Sequence, residues 1–128
     1  MQVSEVMTRA SITESPAESL RAAAGRMWNQ QTGSLLIMDS ATLVGIITER
    51  DLMKAVARGD DLDGTPVSAL MTRSVITVEP DTSIEEAARY MATRWIRHLP
   101  VIAHGQLVGM VSQRDLCGLL AATADGSA

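Results

Sequence analysis

Two short motifs in this 128-residue chain place a hydroxyl and a carboxylate where a strand pattern gives way to a helix pattern. Each has the form Gly-h-h-Thr/Ser-x-x-Asp, with h apolar, and they pair Thr48 with Asp51 and Ser112 with Asp115. A hydroxyl at a helix start, beside the unbonded N–H groups of the first turn, suits a phosphate. A carboxylate three residues later can accept hydrogen bonds from the vicinal hydroxyls of a ribose. The motifs therefore predict a site for a nucleoside phosphate.

The same spacing has a second interpretation. Thr or Ser followed three residues later by Asp is an ordinary capping pattern that serves only its own helix. Finding it twice does not decide the matter, because duplication copies caps as well as sites. The glycine ahead of each hydroxyl, Gly45 or Gly109, leaves room for another backbone or for a flat ligand. Both interpretations stay open on spacing alone.

The motifs belong to a repeat that spans most of the chain. Residues 3–57 align with residues 67–121 at a constant offset of 64 with no gap, giving 20 identities in 55 pairs. Self-similarity of this kind indicates two copies of one supersecondary unit. A unit of about 60 residues is marginal by itself because it buries a small share of its surface, so we expect the two copies to form one body with a shared core.

Each copy is predicted to be β-α-β-β-α, with a single helical turn ahead of it. Apolar residues at i, i+3, i+4 and i+7 predict helices over Ser19–Gln30 and Ser83–Arg94. Candidate capping boxes precede them at Ser15 to Glu18 and at Thr82 to Glu85. The remaining predicted elements are short strands at Ser11–Thr13 and Val75–Val78, hairpin strands at Ser34–Met38, Leu43–Ile47, His98–Ala103 and Leu107–Val111, and helices at Glu49–Arg58 and Gln113–Ala122. The predicted organisation is domain 1 over 1–59, a linker over 60–65, domain 2 over 66–122 and a disordered tail over 123–128.

Composition bears on what the protein binds and where it works. The net charge is −4, and the chain has no Phe, one Tyr and two Trp, which disfavours a nucleic-acid partner. A lone cysteine, Cys117, excludes an intramolecular disulfide and fits a reducing compartment. Without a signal-peptide pattern or a long apolar run, we expect a cytoplasmic protein that does not enter a membrane.

Catalytic and metal sites are not expected. Ser112, His98 and Asp115 contain the residue types of a hydrolase triad, but the first copy has Ser34 in place of His98 and no nucleophile-elbow sequence is present. The histidines are His98 and His104, and with one cysteine they do not complete a zinc-ligand set. The acidic stretch 60–63 lacks the ligand spacing of a calcium loop and is interpreted as a solvated connector.

Taken together, these motifs resemble a tandem pair of CBS domains, also called a Bateman module. The resemblance covers about residues 1–122 and depends on Val6-Met7-Thr8-Arg9, Leu70-Met71-Thr72-Arg73, the Ile-Thr pairs at 12–13 and 76–77, Arg97-His98-Leu99-Pro100-Val101, and both Leu-Val-Gly-h-h-Thr/Ser-x-x-Asp-Leu runs. It implies a mixed α/β (α+β) fold in which the two repeats pack sheet to sheet with pseudo-two-fold symmetry. It also implies two clefts that bind adenosine nucleotides and a disc-shaped homodimer.

The resemblance assigns nucleotide binding in the first cleft to Thr13, the backbone around Ser34 and Leu36, Thr48 and Asp51. In the second cleft it assigns Thr77, the backbone around His98 and Pro100, Ser112 and Asp115. The predicted set also includes Arg97 and Arg114, and it stays open whether Arg97 serves the ligand of the second cleft or that of the first. The copies differ where phosphates would lie, because the first has Gly33 and Glu49 where the second has Arg97 and Gln113. A carboxylate repels phosphate, whereas arginine offers a fork of donors. We therefore expect the second cleft to bind nucleotide more tightly. The first copy also has Leu36 where Pro100 stands in the second.

Two classes of function remain. In the first, the protein is a stand-alone sensor, with no required cofactor, that binds AMP, ADP or ATP as a regulatory ligand and signals in trans to a protein effector. In the second, it is a constitutive dimeric interaction module with vestigial clefts, or with another adenosyl ligand such as NAD(H) or S-adenosylmethionine. The sequence names no partner and does not fix the phosphate count.

Overall fold

The computed structural model describes residues 1–9 and 13–124, with side chains as far as Leu119. Within these ranges the chain forms two sheets and four α-helices, which confirms the mixed α/β class. The elements are a 3-10 turn at Val3–Glu5, β1 (Thr13–Glu14), α1 (Leu20–Gln30), β2 (Ser34–Asp39), β3 (Thr42–Thr48), α2 (Glu49–Arg58), a 3-10 turn at Val67–Ala69, α3 (Ile84–Arg94), β4 (His98–Ala103), β5 (Gln106–Ser112) and α4 (Gln113–Ala124).

The described residues separate into two compact units. The first unit comprises residues 13–75, and the second comprises residues 1–9 together with residues 76–124. This division differs from the division into repeats at 1–59 and 66–122, because the 3-10 turn that begins each repeat packs with the sheet of the other. The repeat offset relates residue 3 to residue 67, but it does not say which sheet either segment contacts.

Main-chain hydrogen bonds fix these exchanged segments at the edge of each hairpin. Thr72 and Ile46 are joined in an antiparallel bridge, with N···O distances of 2.9 and 3.0 Å. Thr8 and Met110 form the equivalent bridge in the second unit, at 2.8 and 2.9 Å. In each hairpin, the N–H and C=O groups of one residue on the edge strand are thereby paired.

The close approach of these segments explains the glycine of each motif. A Cβ built on Gly45 would lie 2.6 Å from Met71 Sδ and 3.1 Å from the Thr72 carbonyl oxygen. A Cβ on Gly109 would lie 2.7 Å from the Thr8 carbonyl oxygen. Of the two partners that the sequence left open for these glycines, a backbone and a flat ligand, the structure places the backbone there.

Each unit has its own apolar core between its sheet and its helices, so the expectation of one shared core was wrong. In the first unit, inward-facing strand residues such as Leu35 and Ile47 pack against α1, α2 and Met71. In the second unit, Leu99 and Val111 occupy the equivalent positions. The other members of the first core are Leu20, Ala23, Met27, Ile37, Ala55 and Val67, and those of the second are Val3, Val78, Ala87, Met91, Val101 and Leu116.

The caps of α1 and α3 differ from the predicted capping boxes. The hydroxyls of Ser19 and Ser83 each accept a hydrogen bond from a main-chain N–H three residues later, both at 3.1 Å. The two serines are 64 residues apart, so the caps follow the repeat. Ser15 and Thr82 were the wrong choice: the Ser15 carbonyl closes a turn to Glu18 N, and the Thr82 hydroxyl accepts from Glu79 N at 3.1 Å.

Several boundaries also differ from those predicted. The short strand expected at Val75–Val78 is reduced to one parallel bridge between Val78 and Val101. The Asp-rich connector is ordered against α1, since Leu62 packs on the core and its carbonyl accepts from Arg21 N at 3.0 Å. Helix α4 extends to Ala124, two residues into the tail predicted at 123–128. The rest of that predicted tail, 125–128, lies outside the described residues. So do Ser11 and Ile12 of the first predicted strand. Of the described helices, none has the length and apolar character needed to cross a membrane.

Candidate functional site

The residues assigned to the first site lie on one face of the β1-β2-β3 sheet. Side chains alternate between faces along a strand, and Leu35 and Ile37 face the core. Ser34 and Leu36 therefore face the opposite side, away from α1 and α2. Both are buried, with 2% and 0% of their surface exposed.

Register brings the neighbouring strands into the same arrangement. Leu36 is paired with Thr13 on β1 and with Ile46 on β3, and Ser34 is paired with Thr48. Directly paired residues share a face of the sheet. Thr13, Leu36 and Ile46 thus form one row, with the Ser34–Thr48 pair beside it at the end where α2 begins.

Thr48 caps α2, and Asp51 caps it in return. The Asp51 N–H donates to the Thr48 hydroxyl at 3.4 Å, and Asp51 Oδ2 accepts from the N–H and the hydroxyl of Thr48 at 2.9 and 3.1 Å. The capping interpretation is therefore correct for one carboxylate oxygen. The other oxygen, Oδ1, accepts no hydrogen bond from any residue in the described ranges.

The second unit repeats this arrangement with different residue types. His98 is paired with Ser112, and Pro100 is paired with Met110. Asp115 Oδ2 accepts from Ser112 N at 2.9 Å, and Asp115 N donates to the Ser112 hydroxyl at 3.1 Å. As in the first unit, Oδ1 of the aspartate is left without a donor among the residues that the structure covers.

Thr77, Arg97 and Arg114 complete the predicted second set. The parallel bridge of Val78 with Val101 aligns Thr77 with Pro100, which is the register that pairs Thr13 with Leu36 in the first unit. Thr77 is exposed, whereas Thr13 is half-buried. Arg97 and Arg114 are exposed at the start of α4, where Gln113 N donates to the Arg97 carbonyl at 2.8 Å.

The entrance to α2 is acidic where the entrance to α4 is basic. Glu49 N donates to the Gly33 carbonyl at 2.9 Å, and the equivalent bond in the second unit joins Gln113 N to the Arg97 carbonyl. The Glu49 carboxyl group folds over Gly33, so a Cβ built there would lie 3.4 Å from its Cδ and Oε1. The formal charge at the start of α2 is −1, summed over Glu49, Arg50 and Asp51. The formal charge at the start of α4 is +1, summed over Arg97, Gln113, Arg114 and Asp115.

One further atom stands out at the first site. The Ser34 hydroxyl is buried and has no hydrogen-bond partner within the described part of the chain. Its neighbour Thr32 bonds to the main chain of Ser34, at 3.1 Å to the carbonyl oxygen, and not to this hydroxyl. Buried polar atoms are nearly always paired, so an orphaned hydroxyl beside a predicted ligand site requires an explanation. No group of three or more metal-ligating side chains occurs among the described residues.

Comparison with known proteins identifies the fold. The family model of the CBS domain matches residues 3–58 and again residues 67–122. The chain belongs to the CBS-domain family as a tandem pair. The resemblance that the sequence motifs indicated is thereby confirmed.

Individual relatives agree with the family match over nearly the whole chain. The CBS domain-containing protein YhcV of Bacillus subtilis is 34% identical over 115 residues, covering 89% of this chain and 81% of the relative. The CBS-domain containing protein ATU1752 from Agrobacterium tumefaciens superposes with a TM-score of 0.89 at 30% identity, covering 94% and 99% of the two chains. The CBS domain pair of protein MJ0100, in complex with 5′-methylthioadenosine and S-adenosyl-L-methionine, gives a TM-score of 0.89 at 29% identity, covering 96% and 98%.

Proposed function

We propose that this CBS pair is a regulatory, non-catalytic protein that binds adenosyl ligands at the two sites described above, including nucleotides of the AMP, ADP and ATP class. The proposal depends on one observation, made twice. In each unit a hydroxyl and a carboxylate share a helix start, and Oδ1 of that carboxylate has no donor among the described residues. Ribose hydroxyls are suitable donors for that oxygen. The adenosyl ligands of the MJ0100 pair support the same ligand class.

The surrounding groups fit the rest of such a ligand. The first-turn N–H groups of α2 and α4 provide donors and a positive dipole end for polar substituents. We assign nucleotide contacts to the full predicted set, namely Thr13, Ser34, Leu36, Thr48, Asp51, Thr77, Arg97, His98, Pro100, Ser112, Arg114 and Asp115.

Ligand occupancy would act on a partner through the surface of a homodimer. Trp28, Met53 and Val56 expose 77, 69 and 62% of their surface on α1 and α2 of the first unit. Large apolar side chains exposed on neighbouring helices are typical of an interface. We propose that this surface joins two copies of the chain, and that the effector protein responds in trans to the ligand-bound dimer.

Thermal-shift measurements with AMP, ADP, ATP, NADH, 5′-methylthioadenosine and S-adenosylmethionine test the ligand class. A ligand at 100 times its dissociation constant stabilises the folded state by about 2.7 kcal/mol, which is about 10 °C in a chain of this size. We expect a shift of this order with at least one of these compounds, and none with guanosine or cytidine monophosphate. The second candidate function, a constitutive interaction module, is favoured by the exposed apolar helix surface and predicts no shift with any compound while the dimer persists in light scattering.

A further inference from the structure

The first site differs from the second in charge at the point where a 5′ substituent would meet the helix start. Glu49 is the first residue of α2, and its carboxyl group covers Gly33, the residue just before β2. The first turn of α2 contains two acidic residues, whereas that of α4 contains one. The helix dipole that would attract a phosphate is therefore already opposed at α2 by the carboxylate of Glu49.

The same site holds the orphaned hydroxyl of Ser34. Ser34 is 2% exposed, is paired with Thr48 across β2 and β3, and lies on the face of the sheet that bears the site. Because Gly33 bonds to Glu49, this strand start is held against the first turn of α2. The hydroxyl is thus a donor and acceptor beside the helix start without a partner among the described residues.

The structure assigns the first site to an adenosyl compound that has no phosphate at its 5′ position, with the Ser34 hydroxyl as one of the ligand contacts. The inference depends on the proposed function, since it concerns the same pair of sites. Repulsion by Glu49 disfavours a 5′ phosphate, whereas an uncharged or cationic 5′ group meets no such penalty. The second site, with Arg97 in place of Gly33 and Gln113 in place of Glu49, retains the preference for a phosphate.

Glu49 has an ordinary role that predicts a different result. An acidic residue in the first turn stabilises its own helix through the dipole, whether or not a ligand binds. In that case Glu49→Gln lowers the melting temperature slightly and changes the affinity for every adenosyl compound equally. Discrimination against phosphate requires instead that the substitution changes AMP binding and leaves adenosine binding unchanged.

Isothermal titration with adenosine and AMP tests the assignment, because the two probes differ only in the 5′ phosphate. Asp115→Ala removes the second site and leaves the first, and Asp51→Ala does the reverse. In the Asp115→Ala protein we expect AMP to bind no more tightly than adenosine, and addition of Glu49→Gln to raise AMP affinity about tenfold. In the Asp51→Ala protein we expect AMP to bind at least about tenfold more tightly than adenosine.

Glu85→Gln is the matched control. Glu85 lies in the first turn of α3, so the substitution removes the same charge from another helix start. It is expected to leave both affinities unchanged. A preference of the Asp115→Ala protein for AMP over adenosine, or an equal effect of Glu49→Gln on both probes, would overturn the inference while leaving the proposed function intact. If the wild-type protein bound neither probe, the proposed function itself would fail, and this inference with it.

Ser34→Ala gives an independent readout, because its effects on stability and on binding have opposite signs. Removing an unpaired buried hydroxyl is expected to leave the melting temperature of the unliganded protein unchanged or to raise it. Adenosine affinity at the first site is expected to fall about fivefold, with the second site unaffected. Ser19→Ala is the control, since it removes a hydroxyl that caps α1 and should lower stability without changing affinity. Unchanged adenosine affinity in Ser34→Ala would show that the hydroxyl does not contact the ligand.

Discussion

Replacing Gly109 with alanine is expected to destabilise the protein by about 3 kcal/mol, one of the largest effects of a single added methyl group in this chain. The new Cβ would lie 2.7 Å from the Thr8 carbonyl oxygen and 2.8 Å from Met7 Sδ. That oxygen accepts the Met110 N–H at 2.9 Å, so it cannot retreat without weakening the bridge that attaches the N-terminal segment. Chemical denaturation monitored by tryptophan fluorescence measures the loss.

Gly25→Ala is the matched control for this substitution. Gly25 lies within α1, and a Cβ built there meets no described atom within 4 Å apart from its chain neighbours and the backbone of its own helix. Alanine in a helix interior is more favourable than glycine by about 0.5–1 kcal/mol, so this variant should be more stable than wild type. Equal stability of the two variants would contradict the close packing of the N-terminal segment on β5. The smaller loss expected for Gly45→Ala follows from its nearest contact, the flexible end of Met71.

Removing both aspartates is expected to abolish adenosyl binding, with a loss of at least about 100-fold at each site. Each substitution would remove the acceptor of the hydrogen bonds that the ribose hydroxyls donate. These bonds are stronger than those between neutral groups because the acceptor is charged. Isothermal titration with an adenosyl ligand should show one remaining site in Asp51→Ala and one in Asp115→Ala. The double variant should show no binding. Each substitution also removes half of a capping box, so each variant should lose about 1 kcal/mol of stability.

A loss of binding through loss of a cap must be separated from a loss of a ligand contact. Ser19→Ala and Ser83→Ala remove the caps of α1 and α3. In each cap the serine hydroxyl accepts a hydrogen bond from the main-chain N–H three residues later, at 3.1 Å. Their stability loss should match that of the aspartate variants, while both sites should still bind. Weakened binding in these cap variants, to the degree seen without Asp51 or Asp115, would mean that the aspartates act only through helix stability.

Much of the fold could be predicted because its local signals occur twice. The 64-residue offset, the apolar periodicity of α1 and α3, and the two hairpins all follow from the order of residue types. The exchange of the 3-10 turns between repeats could not be predicted. Both repeats contain an identical Met-Thr-Arg segment after the turn, so either segment fits either hairpin edge, and the sequence does not indicate which hairpin each segment contacts. For the same reason, the sequence does not show whether Gly45 and Gly109 make room for a backbone or for a ligand.

The candidate site was predicted in its residues but not in its details. Register on the sheet brings Ser34 to Thr48 and His98 to Ser112, as expected for two strands that end at a helix start. The orphaned hydroxyl of Ser34 was not predicted as such, since serine at a strand start is common and its partners depend on packing. The dual use of each aspartate, with one oxygen in the cap and the other unbonded to described residues, also required coordinates.

A crystal structure of the protein with bound 5′-methylthioadenosine or AMP tests the central claim most directly. The account predicts a ribose at each occupied site, with both of its hydroxyls on Asp51 or Asp115 and with Oδ2 still bonded to the N–H of Thr48 or Ser112. Aspartates bonded only to their own main chain, with the compound bound elsewhere on the protein, would contradict it.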